Sequence, residues 1–296
     1  MTTPDWIALD WGTTHLRGWA MSGSGAVLEE RGSAKGMGTL SPDQFEPALR
    51  EMCGDWLDHG PVPMIACGMV GARQGWVEAT YSAVPCAPLA SQLTQVPGGL
   101  DVSIIPGLSQ AEPADVMRGE ETQIAGFLAL NPNWSGVLCL PGSHSKWAHV
   151  SAGEVVSFRS FMTGELFAAL SAHTVLRHSV QGTDWKEEAF AAAVNETLSR
   201  PERLASSLFS IRAADLLHGH GSGVARARLS GLLIGAELAA AKPYWLGQQI
   251  GVIGAGDLAE LYVRALAAQA APATQADATA VTLAGLTAAW KQGITS

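Results

Sequence analysis

Near the N-terminus the apolar residues come in two short runs, Trp6 to Asp10 and Leu16 to Met21, separated by the small polar turn Gly12-Thr13-Thr14. Runs of this length bounded by turn residues predict two strands in a hairpin. Gly23-Ser24-Gly25 marks a further turn and Ala26 to Glu30 a third strand, so the chain opens as a β-meander. The period then changes. From Pro42 to His59, Phe45, Leu49, Met52, Trp56 and Leu57 fall on one helical stripe behind the cap candidate Ser41. Pro63 to Cys67 and Val102 to Pro106 read as short buried strands, separated by a Gly-rich loop and by the irregular, Pro-broken stretch Ala83 to Pro97. Gly119 opens a helix with Glu120, Glu121 and Thr122 in its first turn, Ile124, Phe127 and Leu128 on its apolar side, and Asn131-Pro132 at its end.

After this helix the pattern starts over. Gly136 to Val150 is again strand, small-residue turn, strand; Ser151-Ala152-Gly153 turns into a third strand, Glu154 to Phe161. Superposing Gly142 on Gly12, an offset of 130 positions (142 − 12), puts Ser143 on Thr13 and Gly153 on Gly23. A helical region follows. Thr163 is a cap candidate for the first of its helices, and Asp184 to Glu187 reads as a capping box before a helix carrying Phe190, Val194 and Leu198. Pro201 starts another, and a fourth runs from about Val224 to Ala241, where Lys242-Pro243 stops it. Gln249 to Ile253 is a buried strand, followed by Gly254-Ala255-Gly256, a helix through Leu258, Leu261 and Leu266, and an Ala-rich helix from Ala278 to Gln292. The sequence thus predicts an α/β protein of two domains, 1–118 and 119–296, the second with a helical insert at about 163–242. The terminal helix is a candidate to pack back on the N-terminal domain.

Composition narrows the function classes. A net charge of −9 with 15% charged residues and no block of Lys or Arg argues against a nucleic-acid partner. Four cysteines without a CxxC pair suggest reduced thiols in a cytoplasm rather than zinc or disulfides. With no evident signal peptide and no apolar run approaching roughly 18 residues, no membrane span is expected.

The candidate chemistry sits at the turns. Asp10 ends a buried strand beside Gly12, Thr13 and Thr14, which gives a clip for phosphate oxygens and a carboxylate for Mg²⁺. It is not a P-loop, which needs Gly-Lys-Ser/Thr opening a helix. An ordinary hairpin whose Asp and Thr residues satisfy the turn would look the same. The second copy has Leu140 where the first has Asp10 and offers His144 and Lys146 instead, either as phosphate donors or as a turn residue and an exposed strand charge. Glu120 and Glu121 read as acids exposed in a first helical turn, where the dipole favours them, and as a candidate base. The Gly-rich loop groups Arg73, Gln74 and Trp76. GAGDLA satisfies Gly-x-Gly-x-x-Gly/Ala, but the further βαβ units of a dinucleotide fold are missing, so Gly254 and Gly256 are assigned to a nucleotide base.

The stretches DWGTTHLRGW, GMVGARQGW, VMRGEETQ, PGSHSKW, FMTGELF, LFSIRA and LSGLLIGAE follow one another between residues 10 and 237. In this order they resemble the 2-dehydro-3-deoxygalactonokinases, sugar-acid kinases of the hexokinase, Hsp70 and actin ATPase superfamily. DWGTT indicates the superfamily; PGSHSKW and FMTGEL are much more specific to the kinase. His15 stands where Asn is usual and Ser143 where Thr is usual. The resemblance implies two RNase-H-like domains with mixed sheets around an interdomain nucleotide cleft. It implies ATP and Mg²⁺ as cofactors and phosphorylation of the 6-hydroxyl of 2-dehydro-3-deoxy-D-galactonate to the 6-phosphate, in galactonate and galactose catabolism.

Carried onto this chain, the resemblance has Asp10 hold the metal while Gly12, Thr13, Thr14, Gly142, Ser143 and His144 surround the phosphates. Arg17 and Lys146 neutralise charge, and Gly254 and Gly256 line the adenosine. Glu121, with Glu120 second, deprotonates the hydroxyl. Arg73, Gln74, Trp76, Thr163 and Glu165 are substrate candidates, Arg73 as a fork for the carboxylate. The expected partner is a small-molecule sugar acid, with no nucleic acid and no membrane, and a homodimer is the candidate assembly. The rival readings are a superfamily phosphatase of the exopolyphosphatase type and a non-catalytic, nucleotide-dependent regulator.

Overall fold

The two apolar runs at the N-terminus form β1 (Trp6–Trp11) and β2 (Leu16–Met21), paired antiparallel with Asp10 opposite Arg17. The computed structural model describes residues 2–58 and 60–295. β3 (Val27–Ser33) extends the meander antiparallel to β2; after α1 (Phe45–Cys53) the chain returns as β4 (Met64–Cys67), parallel to β1 with Asp10 opposite Cys67. β5 (Tyr81–Ala83), β6 (Thr94–Gln95), β7 (Val102–Ile104), β8 (Gly107–Gln110) and β9 (Asp115–Met117) lead into α2 (Glu120–Leu130). The main sheet runs β3-β2-β1-β4-β7-β6, and β5-β8-β9 form a small second sheet.

The same build recurs. β10 (Gly136–Leu140), β11 (Ser145–Ser151) and β12 (Glu154–Phe161) are followed by α3 (Thr163–His173), α4 (Glu187–Ser199), α5 (Leu204–His218), α6 (Ser222–Ala240) and α7 (Lys242–Trp245). β13 (Ile250–Ile253) then pairs parallel with β10, and α8 (Gly256–Ala267), β14 (Ala273–Ala276) and α9 (Ala278–Thr295) complete the chain. Its sheet runs β12-β11-β10-β13-β14. In both sheets the three meander strands stand in the order 3-2-1 and a later parallel strand adds beside the first, which is the ribonuclease-H-like arrangement.

Two compact units result: residues 1–135, 150–157 and 276–296, and residues 136–149 and 158–275. In the first, the period of β1 sorts its side chains onto two apolar faces. Ile7, Leu9 and Trp11 pack with Phe45, Leu49, Met52 and Trp56, while Trp6 and Ala8 pack with Leu286 and Ala289 of α9. Trp6 stacks on Trp290 with ring centroids 5.1 Å apart. α9 also packs closely on α2, because Gly126 and Gly285 have no side chains: a Cβ on either would collide with the Val281 or the Thr122 carbonyl. This packing keeps α2 with the first unit, so the boundary read at 118/119 moves to 135/136. The second unit is built around Val137, Cys139, Trp147, Phe190, Ile234 and Tyr262.

Several local expectations change. The stripe from Pro42 to His59 is a short 3-10 turn, α1 and a second 3-10 turn ending at Leu57, broken where Gly54 takes a φ of 50°; His59 lies outside the described residues. α4 begins at Glu187 behind Lys186 with no side-chain cap, so Asp184 to Glu187 is not a capping box. Lys242-Pro243 does follow the end of α6 at Ala240, and it also opens the short α7, since Pro fits a first turn. All four cysteines are free thiols. Among the described residues no helix is long and apolar enough to cross a membrane.

Candidate active site

In the first unit, Asp10 leaves the end of β1 with its carboxylate partly exposed, and its Oδ2 accepts from Arg17 Nη2 at 2.6 Å. Arg17 Nη1 donates to Thr279 Oγ1 at 3.0 Å. The turn beyond is fixed by its backbone: Gly12 N–H donates to the His15 carbonyl, and Met37 and Gly38 N–H donate to the carbonyls of Gly12 and Thr13, each at 2.9 Å. Thr13, Thr14 and His15 stay exposed on this rigid frame, with the Thr14 hydroxyl 2.9 Å from His15 Nδ1.

The start of α2 reaches the end of β1 through two glycines. Gly68, at a φ of 93°, lies so close to the Trp11 carbonyl that a Cβ would stand 2.9 Å from its oxygen; a Cβ on Gly119, at a φ of 103°, would stand 3.3 Å from Gly68 Cα. Only glycine holds such φ values without strain. Cys67, beside this junction, has Sγ 3.9 Å from Asp10 Oδ1. Burial pushes its thiol pKa up, and the charges of Asp10 and Glu121 add to the shift, so both carboxylates act on one point.

Glu121 has no exposed surface. Its Oε2 accepts from Gly119 N–H at 2.6 Å and its Oε1 from the Thr122 hydroxyl at 3.0 Å. Burial, and secondarily the charge of Glu120, raises its pKa from 4.5 to about 8. It is therefore not the exposed first-turn acid that the sequence suggested. Glu120 is partly exposed, and its Oε2 accepts from Arg118 N–H at 3.0 Å.

The Gly-rich loop divides its candidates. Arg73 is 81% exposed with Nε 4.0 Å from Glu78 Oε2, and Gln74 is exposed. Trp76 turns inward, stacking on Phe45 at 6.0 Å and meeting Trp11 edge-on at 5.9 Å, so its ring belongs to the core.

In the second unit, α3 begins on top of the Gly142-Ser143 turn. Glu165 N–H donates to the Ser143 carbonyl at 2.9 Å, and Gly164 packs against Gly142. His144 Nε2 lies 2.5 Å from Glu165 Oε2, which ties Glu165 to a phosphate candidate. Lys146 is buried, not an exposed strand charge, and its Nζ donates to the His144 carbonyl at 3.4 Å. Thr163 is the first residue of α3 and not its cap; it is buried, with its hydroxyl bonded to the Glu237 carboxylate. Glu237 also accepts from Trp147 Nε1 at 2.8 Å and the Tyr262 hydroxyl at 2.6 Å; burial raises its pKa against these bonds.

Above this network lies a cavity of about 610 Å³, lined among others by Gly142, Ser143, Phe167, Trp185, Arg226, Asp257, Leu258 and Arg264. Gly254 and Gly256 do not line it; the residues of α8 that follow them do. Trp185 Nε1 and Arg264 Nη1 donate to Glu187 Oε2 at 2.9 and 3.1 Å, and the Arg226 guanidinium stands 5.1 Å over the Phe167 ring. The sequence reading missed this group, although Trp185 in the polar stretch Gly182 to Glu188 was a visible signal.

A repeated ribonuclease-H-like unit, with a carboxylate and a hydroxyl-rich turn in one copy and a glycine turn beside a cavity in the other, defines a nucleotide-using phosphotransferase of the actin/hexokinase ATPase fold. The family model described as 2-keto-3-deoxy-galactonokinase matches residues 10–289. A Rhizobium meliloti (strain 1021) protein provisionally named 2-dehydro-3-deoxygalactonokinase is 42% identical, with 98% of each chain aligned. The 2-dehydro-3-deoxygalactonokinase of Escherichia coli (strain K12) is 37% identical over 86% of each. A crystal structure from Sinorhizobium meliloti, provisionally given the same enzyme name, superposes with a TM-score of 0.91 at 41% identity, covering 97% of this chain and 98% of the other. The chain belongs to the 2-keto-3-deoxy-galactonokinase family.

Proposed function

We propose that the protein transfers the γ-phosphoryl group of ATP to the 6-hydroxyl of 2-dehydro-3-deoxy-D-galactonate in the cytoplasm, giving the 6-phosphate and ADP. The observation that carries this reading is the junction of Gly68 and Gly119, which brings the Asp10 carboxylate and the start of α2, with Glu121, to one place. Phosphoryl transfer needs positioning, charge neutralisation and an oriented nucleophile.

Among the described residues no group of three or more His, Cys, Asp or Glu could hold a metal. A single carboxylate with phosphate oxygens and water suits Mg²⁺, which seldom takes an all-protein cage. Asp10 would hold it, and the ion would supply neutralisation of the phosphate charge. Thr13, Thr14 and the backbone of Gly12 bind phosphate oxygens, and Arg17 turns its guanidinium to them. In the second unit, Gly142, Ser143 and His144 serve the phosphates with Lys146 as a buried positive charge. The cavity beside them takes the adenosine against Trp185 and the start of α8.

Glu120 takes the proton of the 6-hydroxyl. A base must reach the proton it abstracts; Glu120 is partly exposed, whereas Glu121 is enclosed and bonded to Gly119 and Thr122. Exposure thus favours Glu120 over Glu121 within the pair, with Glu121 fixing the loop under its neighbour. Arg73 and Gln74 remain substrate-loop residues, while Thr163 and Glu165 pass to the support of the phosphate turn. No observation favours the phosphatase or the non-catalytic regulator.

The test is ADP release from Mg²⁺–ATP against a panel of keto-deoxy sugar acids of the galactonate and gluconate series, neutral sugars and polyphosphate. Turnover should be fastest with the galactonate-series acid. Turnover with polyphosphate alone, or ATP hydrolysis indifferent to any acceptor, would sink the reading.

A further inference from the structure

Arg118 stands between β9 and α2 and is 8% exposed. Its Nη2 donates to the Ala79 carbonyl at 2.7 Å, but among the described residues neither Nε nor Nη1 has a hydrogen-bond partner. The Tyr81 ring lies over the guanidinium at 4.3 Å. Gly71, in the Gly-rich loop, leaves room for it: a Cβ there would stand 2.9 Å from Nη1. A buried cation with unused N–H donors is costly, and such a group calls for an acceptor.

We infer that Arg118, and not Arg73, binds the carboxylate of the sugar-acid substrate. The inference rests on the kinase reading above and names the specificity residue of that same site. Three features support it. The guanidinium is held at one nitrogen and faced by an aromatic ring, so it is pre-oriented for a carboxylate, whereas Arg73 is 81% exposed and loosely paired with Glu78. Gly71 packs directly against the guanidinium, so the Gly-rich loop that carries the other substrate candidates touches Arg118. The backbone N–H of Arg118 holds Glu120, the proposed base. One residue therefore presents the base at its backbone and a cation a full side chain away. The substrate likewise carries its reacting hydroxyl and its carboxylate at opposite ends of one short carbon chain.

The experiment compares the acid with its methyl ester, which keeps the 6-hydroxyl and loses the charge. The wild-type protein should prefer the acid by about 10- to 100-fold in kcat/KM, the worth of charged hydrogen bonds. In Arg118→Lys and Arg118→Gln that preference should shrink to within a few-fold, through a raised KM for the acid. KM for ATP should stay near the wild-type value, and the loss in kcat/KM for the ester should be much smaller than that for the acid. A preference for the acid that survives in folded Arg118→Gln would overturn the inference, as would equal losses for acid and ester, which indicate a structural role. Should neither variant fold, the Nε–H resonance of Arg118 in ¹⁵N-arginine-labelled wild-type protein decides: it should move with the acid and not with the ester, and equal response to both contradicts the assignment. A wild-type protein that turns over neither compound refutes the kinase reading itself, a result distinct from these.

Discussion

Asp10 and Arg17 face each other across the first hairpin in register, and their side chains close on one another at 2.6 Å. Each is partly exposed, so the pair contributes about 1 kcal/mol or less to stability. Its importance lies in function, because the proposed metal carboxylate and the proposed phosphate cation neutralise each other when no phosphate is there. Asp10→Asn should therefore melt within a few degrees of the wild-type protein and lose roughly 100-fold or more in kcat. Near-normal turnover in the folded variant would remove Asp10 from the site.

The glutamate pair separates by pH and by rate. Glu121 has a folded-state pKa of about 8 against an ordinary 4.5, so its neutral form is the one the fold favours. Its stabilising contribution is complete below pH 4.5 and is lost as the pH rises through 8, at up to about 1.4 kcal/mol per pH unit. Glu121→Gln abolishes that titration. Denaturant melts of both proteins across this range should show the variant gaining on the wild-type protein as pH rises; parallel curves would mean that Glu121 is not held neutral. In kcat, Glu120→Gln should lose roughly 10²- to 10⁴-fold, with a smaller loss for Glu121→Gln. The opposite ranking returns the base to Glu121.

Glu165 belongs with His144 and Ser143 by geometry. Glu165→Ala should accordingly raise KM for ATP several-fold and leave KM for the sugar acid nearly unchanged. A change confined to the sugar acid would restore the substrate role that the sequence suggested.

Much of this architecture was legible because periodicity and turn residues mark it directly. The offset between Gly12 and Gly142 exposed the repeat, and β1, β4, β10 and β13 follow from short apolar runs. The short strands β8 and β14 carry polar or Ala-rich residues and left no alternation to read. Helix starts were misjudged at Thr163 and Asp184, where residue type suggested caps but the side chains went elsewhere: Thr163 bonds to Glu237, far away in sequence. The same limit applied to the site. Residue type pointed to Asp10 and the glutamates, but only packing tells that Glu121 and Lys146 are enclosed, that Trp76 faces inward, and that Arg118 is a buried cation. Each of those facts depends on contacts between segments distant in sequence, to which pattern is blind.

The most direct measurement is the fate of the γ-phosphoryl group, followed with labelled ATP and the galactonate-series keto-deoxy acid and read by product NMR. The account predicts one ADP for each acid consumed and the label on the oxygen at C6. Label appearing in inorganic phosphate, or on any other oxygen of the acid, would contradict it.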